Sequence, residues 1–128
     1  MEVPSAEEFL SLRASAGMGP RSPKGVRQGL GNELYCVVLR TNDGDELVGM
    51  GRVVGDGGTV FHICDMVVKP EWQMKGGGTM IMDALMGFIE DLGVSDAYVN
   101  LIADVEGFYE KWGFKPTLPR SKGMFLKS

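Results

Sequence analysis

Between an apolar run and an amphipathic stretch the chain reads PEWQMKGGGTMIMD, Pro70 to Asp83, with three consecutive glycines at Gly76–Gly78. Glycine at that density is costly unless the backbone must approach something closely. A helix N-terminus offers four unpaired N–H groups and partial positive charge. A side-chain-free loop feeding one is either a phosphate or pyrophosphate site or a tight strand–helix turn. The run just before it carries three more chemical groups. His62, the only histidine, is a residue type suited to proton transfer near neutral pH. Asp65 lies among apolar residues, where a carboxylate needs a partner; Arg40 or Arg52 on the preceding runs could supply one. Cys64 could serve as a nucleophile, but no base or orienting group stands beside it in sequence.

Two common phosphate loops do not fit. A nucleotide-hydrolysing P-loop needs Gly-Lys-Ser/Thr at its end, whereas Lys75 precedes the glycines. The dinucleotide fingerprint Gly-x-Gly-x-x-Gly is met by Gly76 and Gly78 but has Ile81 in place of its third glycine.

The elements that must position these groups follow from periodicity. Ser5 and Glu8 form a capping box that predicts a helix over about 6–16, with Phe9, Leu12 and Ala16 on one side. Ser22-Pro23 opens a second, short helix weakened by Gly25 and Gly29. From residue 33 the period becomes that of strands: LYCVVLR, LVGMGRVV and TVFHICDMVVK, separated by the turns TNDGDE and GDGG. These predict an antiparallel meander. The third strand is apolar on both parities, so it is central. Alternation puts His62, Cys64, Met66 and Val68 on one face and Phe61, Ile63, Asp65 and Val67 on the other. A helix follows from Gly78, with Ile81, Leu85, Phe88 and Leu92 as its stripe. AYVNLIA (97–103) is then a strand parallel to the third, completing a βαβ unit. Asp104 caps a short helix, VEGFYEKW, and the tail from Phe114 can supply one or two final strands. The fold class is α/β with a mixed sheet, an antiparallel meander followed by βαβ, and helices on both faces, in one domain over 1–128.

Gln73-Met74-Lys75-Gly76-Gly77-Gly78 resembles the Gln/Arg-x-x-Gly-x-Gly/Ala signature of the GNAT N-acetyltransferase superfamily. DMVVKPEW before it looks like that family's central strand. GFYEKWGF (107–114) is similar to its late helix, and GRVVGDGG to its meander turn. The order of elements agrees over nearly the whole chain. The resemblance implies an enzyme that moves an acetyl group from acetyl-CoA to a primary amine, in a cleft between the central strand and its parallel neighbour. It implies that the segment Gln73, Met74, Lys75, Gly76, Gly77, Gly78 and Thr79 binds the pyrophosphate through backbone N–H groups. Met66, Val67 and Val68 would run beside the pantetheine arm. Tyr109 matches the family's general acid, which protonates the departing thiolate; a phenol and a thiol have ordinary pKa values close enough for this. The base that deprotonates the acceptor is His62, Asp65 (which a bulge in this strand would turn toward the cleft), or water. Ile102 holds the spacing of the family's pantetheine-binding asparagine, so that contact is either lost or supplied by Asn100. MEVP is barely long enough for the family's first edge strand.

A net charge of −4 argues against broad nucleic-acid binding, which needs a basic face. No stretch is long and apolar enough for a membrane span, and no basic-then-apolar leader opens the chain. Cys36 and Cys64 form no metal or disulfide pattern and read as reduced thiols in a cytoplasmic protein. The expected acceptor is a small-molecule amine. Protein lysine or N-terminal acetylation, and a non-catalytic acyl-CoA sensor, are the alternatives. A homodimer through the C-terminal strands is common in the resembling family and is left open here.

Overall fold

The computed structural model describes all 128 residues. In chain order the elements are α1 (Ala6–Ser15), α2 (Pro23–Gly29), β1 (Tyr35–Arg40), β2 (Leu47–Gly55), β3 (Val60–Val68), α3 (Gly77–Asp91) and β4 (Tyr98–Leu101). Short 3₁₀ turns occupy Pro70–Trp72 and Tyr109–Trp112. The sheet order is β1-β2-β3-β4, with β1, β2 and β3 antiparallel and β4 parallel to β3. The meander and the βαβ unit form as the periodicity predicts.

The two faces of the sheet carry separate cores. On one, α1 and α2 cover Cys36, Leu47, Met50 and Val67 with Phe9, Leu12 and Val26. On the other, α3 lays Ile81, Met82 and Leu85 over Val53, Phe61 and Ile63. Gly51 lies directly under α3, where a Cβ would come within 2.6 Å of Ile81 Cγ2. Its missing side chain lets helix and sheet close. The predicted stripe of α3 is rotated: Met82 is buried, whereas Leu92 is exposed.

Two expectations fail toward the end of the chain. The tail 113–128 forms no strand, and Met124, Phe125 and Leu126 are almost wholly exposed. The C-terminal strands that would support a dimer are therefore absent within the chain. VEGFYEKW does not form the predicted Asp104-capped helix. Gly107 takes a left-handed φ of 75°, and only Tyr109–Trp112 turns, without a side-chain cap. At the start, MEVP makes no strand, only a single backbone bond from Glu2 N–H to Cys36 O at 3.4 Å.

Candidate active site

The site is built around one irregularity in β3. Arg52 is opposite Cys64 and Met50 opposite Val67, so Asp65 and Met66 together face Gly51 on β2. Asp65 adopts a left-handed φ of 54°. This is a β-bulge, and it reverses the alternation of everything after it. The predicted common face of His62, Cys64, Met66 and Val68 is thus incorrect. Met66 and Val68 pack toward α3 with Phe61 and Ile63. His62, Cys64 and Val67 lie on the α1/α2 face, and Asp65 turns to join them.

Beyond the bulge β3 is open on one edge. Its pairing with β4 ends at Ile63–Leu101, while its pairing with β2 continues to Val68. Lys69 N–H bonds to Val48 O on β2 at 2.8 Å, so the Val68 carbonyl points to the open side. There the Gln73 side chain donates to it at 2.9 Å. Alternation leaves the Val68 N–H and the Met66 backbone directed into the gap between β3 and β4. Val67 is different: its backbone pairs with Met50 and its side chain is core.

The glycine loop adjoins this edge. Met74 takes a left-handed φ of 64° with its side chain fully exposed, and Gly76, the N-cap of α3, has φ of 85°. No side chain caps the helix, and Met80 N–H is the first to bond back, to Gly76 O at 3.1 Å. The N–H groups of Gly77, Gly78 and Thr79 therefore have no intrahelical acceptor. The glycines also serve the chain's own packing. A Cβ at Gly77 would come 3.1 Å from Leu39 Cδ1, and one at Gly78 3.2 Å from the Phe108 ring. Lys75 rests 5.1 Å above the Trp72 ring. An open strand edge leading to an uncapped helix start is an extended set of backbone donors that ends in an anion site, which fits acetyl-CoA.

Tyr109 comes from the α3 side, with its ring edge-on to Phe108 at 5.0 Å between centroids. The ring is buried, yet its hydroxyl is not among the fully enclosed unpaired polar atoms, which are Arg13 Nε, Glu33 Oε1 and Arg52 Nε. Burial, and then the Asp104 carboxylate, push the phenol above its ordinary pKa, so it stays protonated. His62 is half-buried on the opposite face. Its Nδ1 is 2.6 Å from Asn100 Oδ1, its register partner on β4. An amide oxygen only accepts, so Nδ1 carries the proton and Nε2 keeps its lone pair in the neutral ring.

Asp65 is embedded in a charge network. Arg13 Nη1 donates to Oδ1 at 2.6 Å and Arg52 Nη1 to Oδ2 at 2.8 Å. Arg13 also donates to Gly19 O at 2.7 Å, and Arg52 Nη2 is 3.6 Å from the enclosed Glu33. Both guanidinium groups lie within about 6 Å of the Phe9 ring centroid, at 5.7 and 6.0 Å. Burial is the largest single influence on Arg52 and opposes its charge, but the Asp65 hydrogen bond and the neighbouring acidic groups together outweigh it and raise its pKa. Of the two predicted partners of Asp65, Arg52 is correct; Arg40 instead binds Glu2 and Glu8. Sequence reasoning missed Arg13; its place four residues after Phe9, on the apolar side of α1, signals a cation in need of a carboxylate but does not say which one. The Cys64 thiol is pushed up to about 12 by burial and then by the Asp65 charge, so it is a poor nucleophile.

Asp65 and Arg52 also form the floor of a cavity of about 770 Å³ walled by Phe9, Pro20–Ser22, α2 and the tail residues Phe125–Ser128. A family model described as the acetyltransferase (GNAT) domain matches residues 21–124. The chain belongs to the GNAT family. A crystal structure of a Staphylococcus aureus protein of unknown function, called a probable acetyltransferase, superposes with TM-score 0.93. It shares 43% identity, covering 99% of this chain and 96% of that one. A GNAT-family acetyltransferase of Streptococcus pneumoniae is 28% identical at TM-score 0.78, covering 100% and 94%. An uncharacterised N-acetyltransferase of Pyropia yezoensis is 29% identical over 120 residues, 92% of this chain and 69% of that protein. This GNAT protein is an acetyl-CoA-dependent N-acetyltransferase with the family's mixed sheet. None of its helices is long and apolar enough to cross a membrane.

Proposed function

We propose that the protein transfers acetyl directly to a primary amine of a small molecule, with donor and acceptor bound together. One observation carries this reading: the cavity floor residue Asp65 immediately precedes Met66 on the open edge. The two sites therefore meet at one segment of β3, from opposite faces of the sheet. A cavity of about 770 Å³ is within the range of small-molecule sites.

Acetyl-CoA, when bound, supplies the acetyl group as an activated thioester. Met66 and Val68 offer backbone groups along its pantetheine arm, and the Gly77, Gly78 and Thr79 N–H groups receive its pyrophosphate. Lys75, Gly76, Met74 and Gln73 shape that turn. From the α1/α2 face of β3, outside the cavity lining, His62 Nε2 takes one proton from the ammonium and passes it to solvent. The amine nitrogen then bonds to the carbonyl carbon and the carbon–sulfur bond breaks. Tyr109 gives its proton to the departing sulfur, balanced by the second proton the nitrogen loses as the amide forms. Asp65, with both oxygens held by arginine, orients the bulge.

Initial rates measured as thiol release, with both substrates varied, test the reading. Intersecting double-reciprocal lines and no acetylated protein by mass spectrometry are expected. Parallel lines with an acetyl group on Cys64 would overturn direct transfer.

A further inference from the structure

The cavity proposed for the acceptor is lined from the two basic stretches of an acidic protein, residues 9–32 and 111–128, neither of which contains an aspartate or glutamate. Residues 9–32 contain Arg13, Arg21, Lys24 and Arg27 and no aspartate or glutamate, while the whole chain carries −4. Arg13 is consumed by Asp65 and Gly19. Arg21, Lys24 and Arg27 make no ion pair with any carboxylate; Arg21 donates only to the neighbouring Pro20 carbonyl, at 3.1 Å. Around the cavity itself Arg21, Arg52 and Lys127 face a single acid side chain, Asp65. Both Asp65 oxygens already accept from arginine, and Arg52 is further offset by Glu33. Lys127 adjoins the Ser128 α-carboxylate, which also lines the cavity, so the positive charge left without a partner at the wall belongs to Arg21, with Lys24 and Arg27 adding to the field from α2.

A wall of that sign is wrong for a simple amine, which arrives as a cation. It suits an amine that also carries a carboxylate or phosphate. We infer that the acceptor is such an amine, and that Arg21 receives its anionic group while the amine points toward Asp65 and the open edge of β3. Arginine matches both oxyanions through two parallel N–H donors. The inference rests on the transferase reading above and adds the chemical class of the acceptor.

Matched probes test it. Ethanolamine against O-phosphoethanolamine, and propylamine against 3-aminopropanoate, differ in the anion while keeping a primary amine. Thiol release should give kcat/KM at least about tenfold higher for one or both anionic members, with the phosphate and carboxylate arms saying which oxyanion is preferred. Raising the salt concentration should increase KM for the anionic member more than for its neutral mate. Arg21→Gln should erase the preference by raising KM for the anionic amine, and Arg21→Lys should restore part of it. If neutral amines are acetylated as well as or better than their anionic mates, or if Arg21→Gln changes both equally, the anionic class is wrong and the transferase reading stands. If no amine turns over although acetyl-CoA binds by calorimetry, the small-molecule reading falls and this inference with it.

Discussion

Arg13 Nη1 lies 2.6 Å from Asp65 Oδ1, joining α1 to the β3 bulge across 52 residues of sequence. The same guanidinium holds Gly19 O in the loop that walls the cavity of about 770 Å³. One side chain therefore ties the cavity wall to the residue whose φ of 54° marks the β3 bulge. Breaking a buried pair leaves an uncompensated charge, so Asp65→Ala should cost about 3–5 kcal/mol in urea unfolding. In a double-mutant cycle with Arg13→Met, a coupling above about 1 kcal/mol is expected. Additive losses would mean the pair is not coupled. Asp65→Asn should lower the rate without changing the shape of the pH–rate profile; loss of a limb would make Asp65 the base instead.

Tyr109 tests the acid side of the proposal. Removing its hydroxyl takes away no hydrogen bond within the protein, so Tyr109→Phe should leave the melting temperature and acetyl-CoA affinity almost unchanged. The rate constant kcat should fall about 10²-fold or more. Because burial raises the phenol's pKa, the wild-type rate should show no alkaline decline from this group below its ordinary value of 10.0. An unchanged kcat in the variant would remove Tyr109 from the chemistry.

His62 and Asn100 act as a pair. Asn100→Ala frees the imidazole to rotate and change tautomer, so it should reduce kcat by about tenfold while His62 remains. His62→Gln should reduce it further, and the double variant should be no worse than His62→Gln alone. Strictly multiplicative effects would show that Asn100 does not act through His62.

The glycine loop predicts a graded series. Gly76→Ala strains a left-handed N-cap with φ of 85° but meets no neighbour, so it should cost about 1 kcal/mol of stability. Gly78→Val must displace the Phe108 ring, which already stands 3.2 Å from where a Cβ would be. It should weaken coenzyme A binding at least about tenfold by calorimetry. Equal affinities in the two variants would separate the loop from the cofactor.

Glu8 gives a pH signature away from the site. Its carboxyl is held down to about 2 from 4.5, chiefly by the Arg40 hydrogen bond and then by the Ser5 N–H of the capping box. A native pKa below the unfolded one means the stabilisation is full above pH 4.5 and is lost as pH falls through about 2. Glu8→Gln should therefore be less stable by about 0.5–1 kcal/mol at neutral pH, a partly exposed pair being worth no more. The gap should close across that acid window; a gap independent of pH would refute the assignment.

Local signals in the sequence determined α1 through its capping box, the three meander strands through their period, and the Gly76–Gly78 loop at the start of α3. Each depends on groups a few residues apart, so the sequence alone specifies it. The family resemblance of the glycine loop and of GFYEKWGF was legible for the same reason: both motifs are contiguous. A bulge at Asp65 was raised only by the family resemblance, as a way to turn that one side chain; its effect on the residues after it was not foreseen. Once the chain gains an extra residue there, period-2 alternation reverses, and His62 parts from Met66 and Val68. The Arg13–Asp65–Arg52–Glu33 network, the cavity it floors and the Gln73 bond to Val68 O could be decided only by tertiary structure. Desolvation makes partners of charges far apart in the chain, and no local pattern records which of several arginines a buried carboxylate will meet.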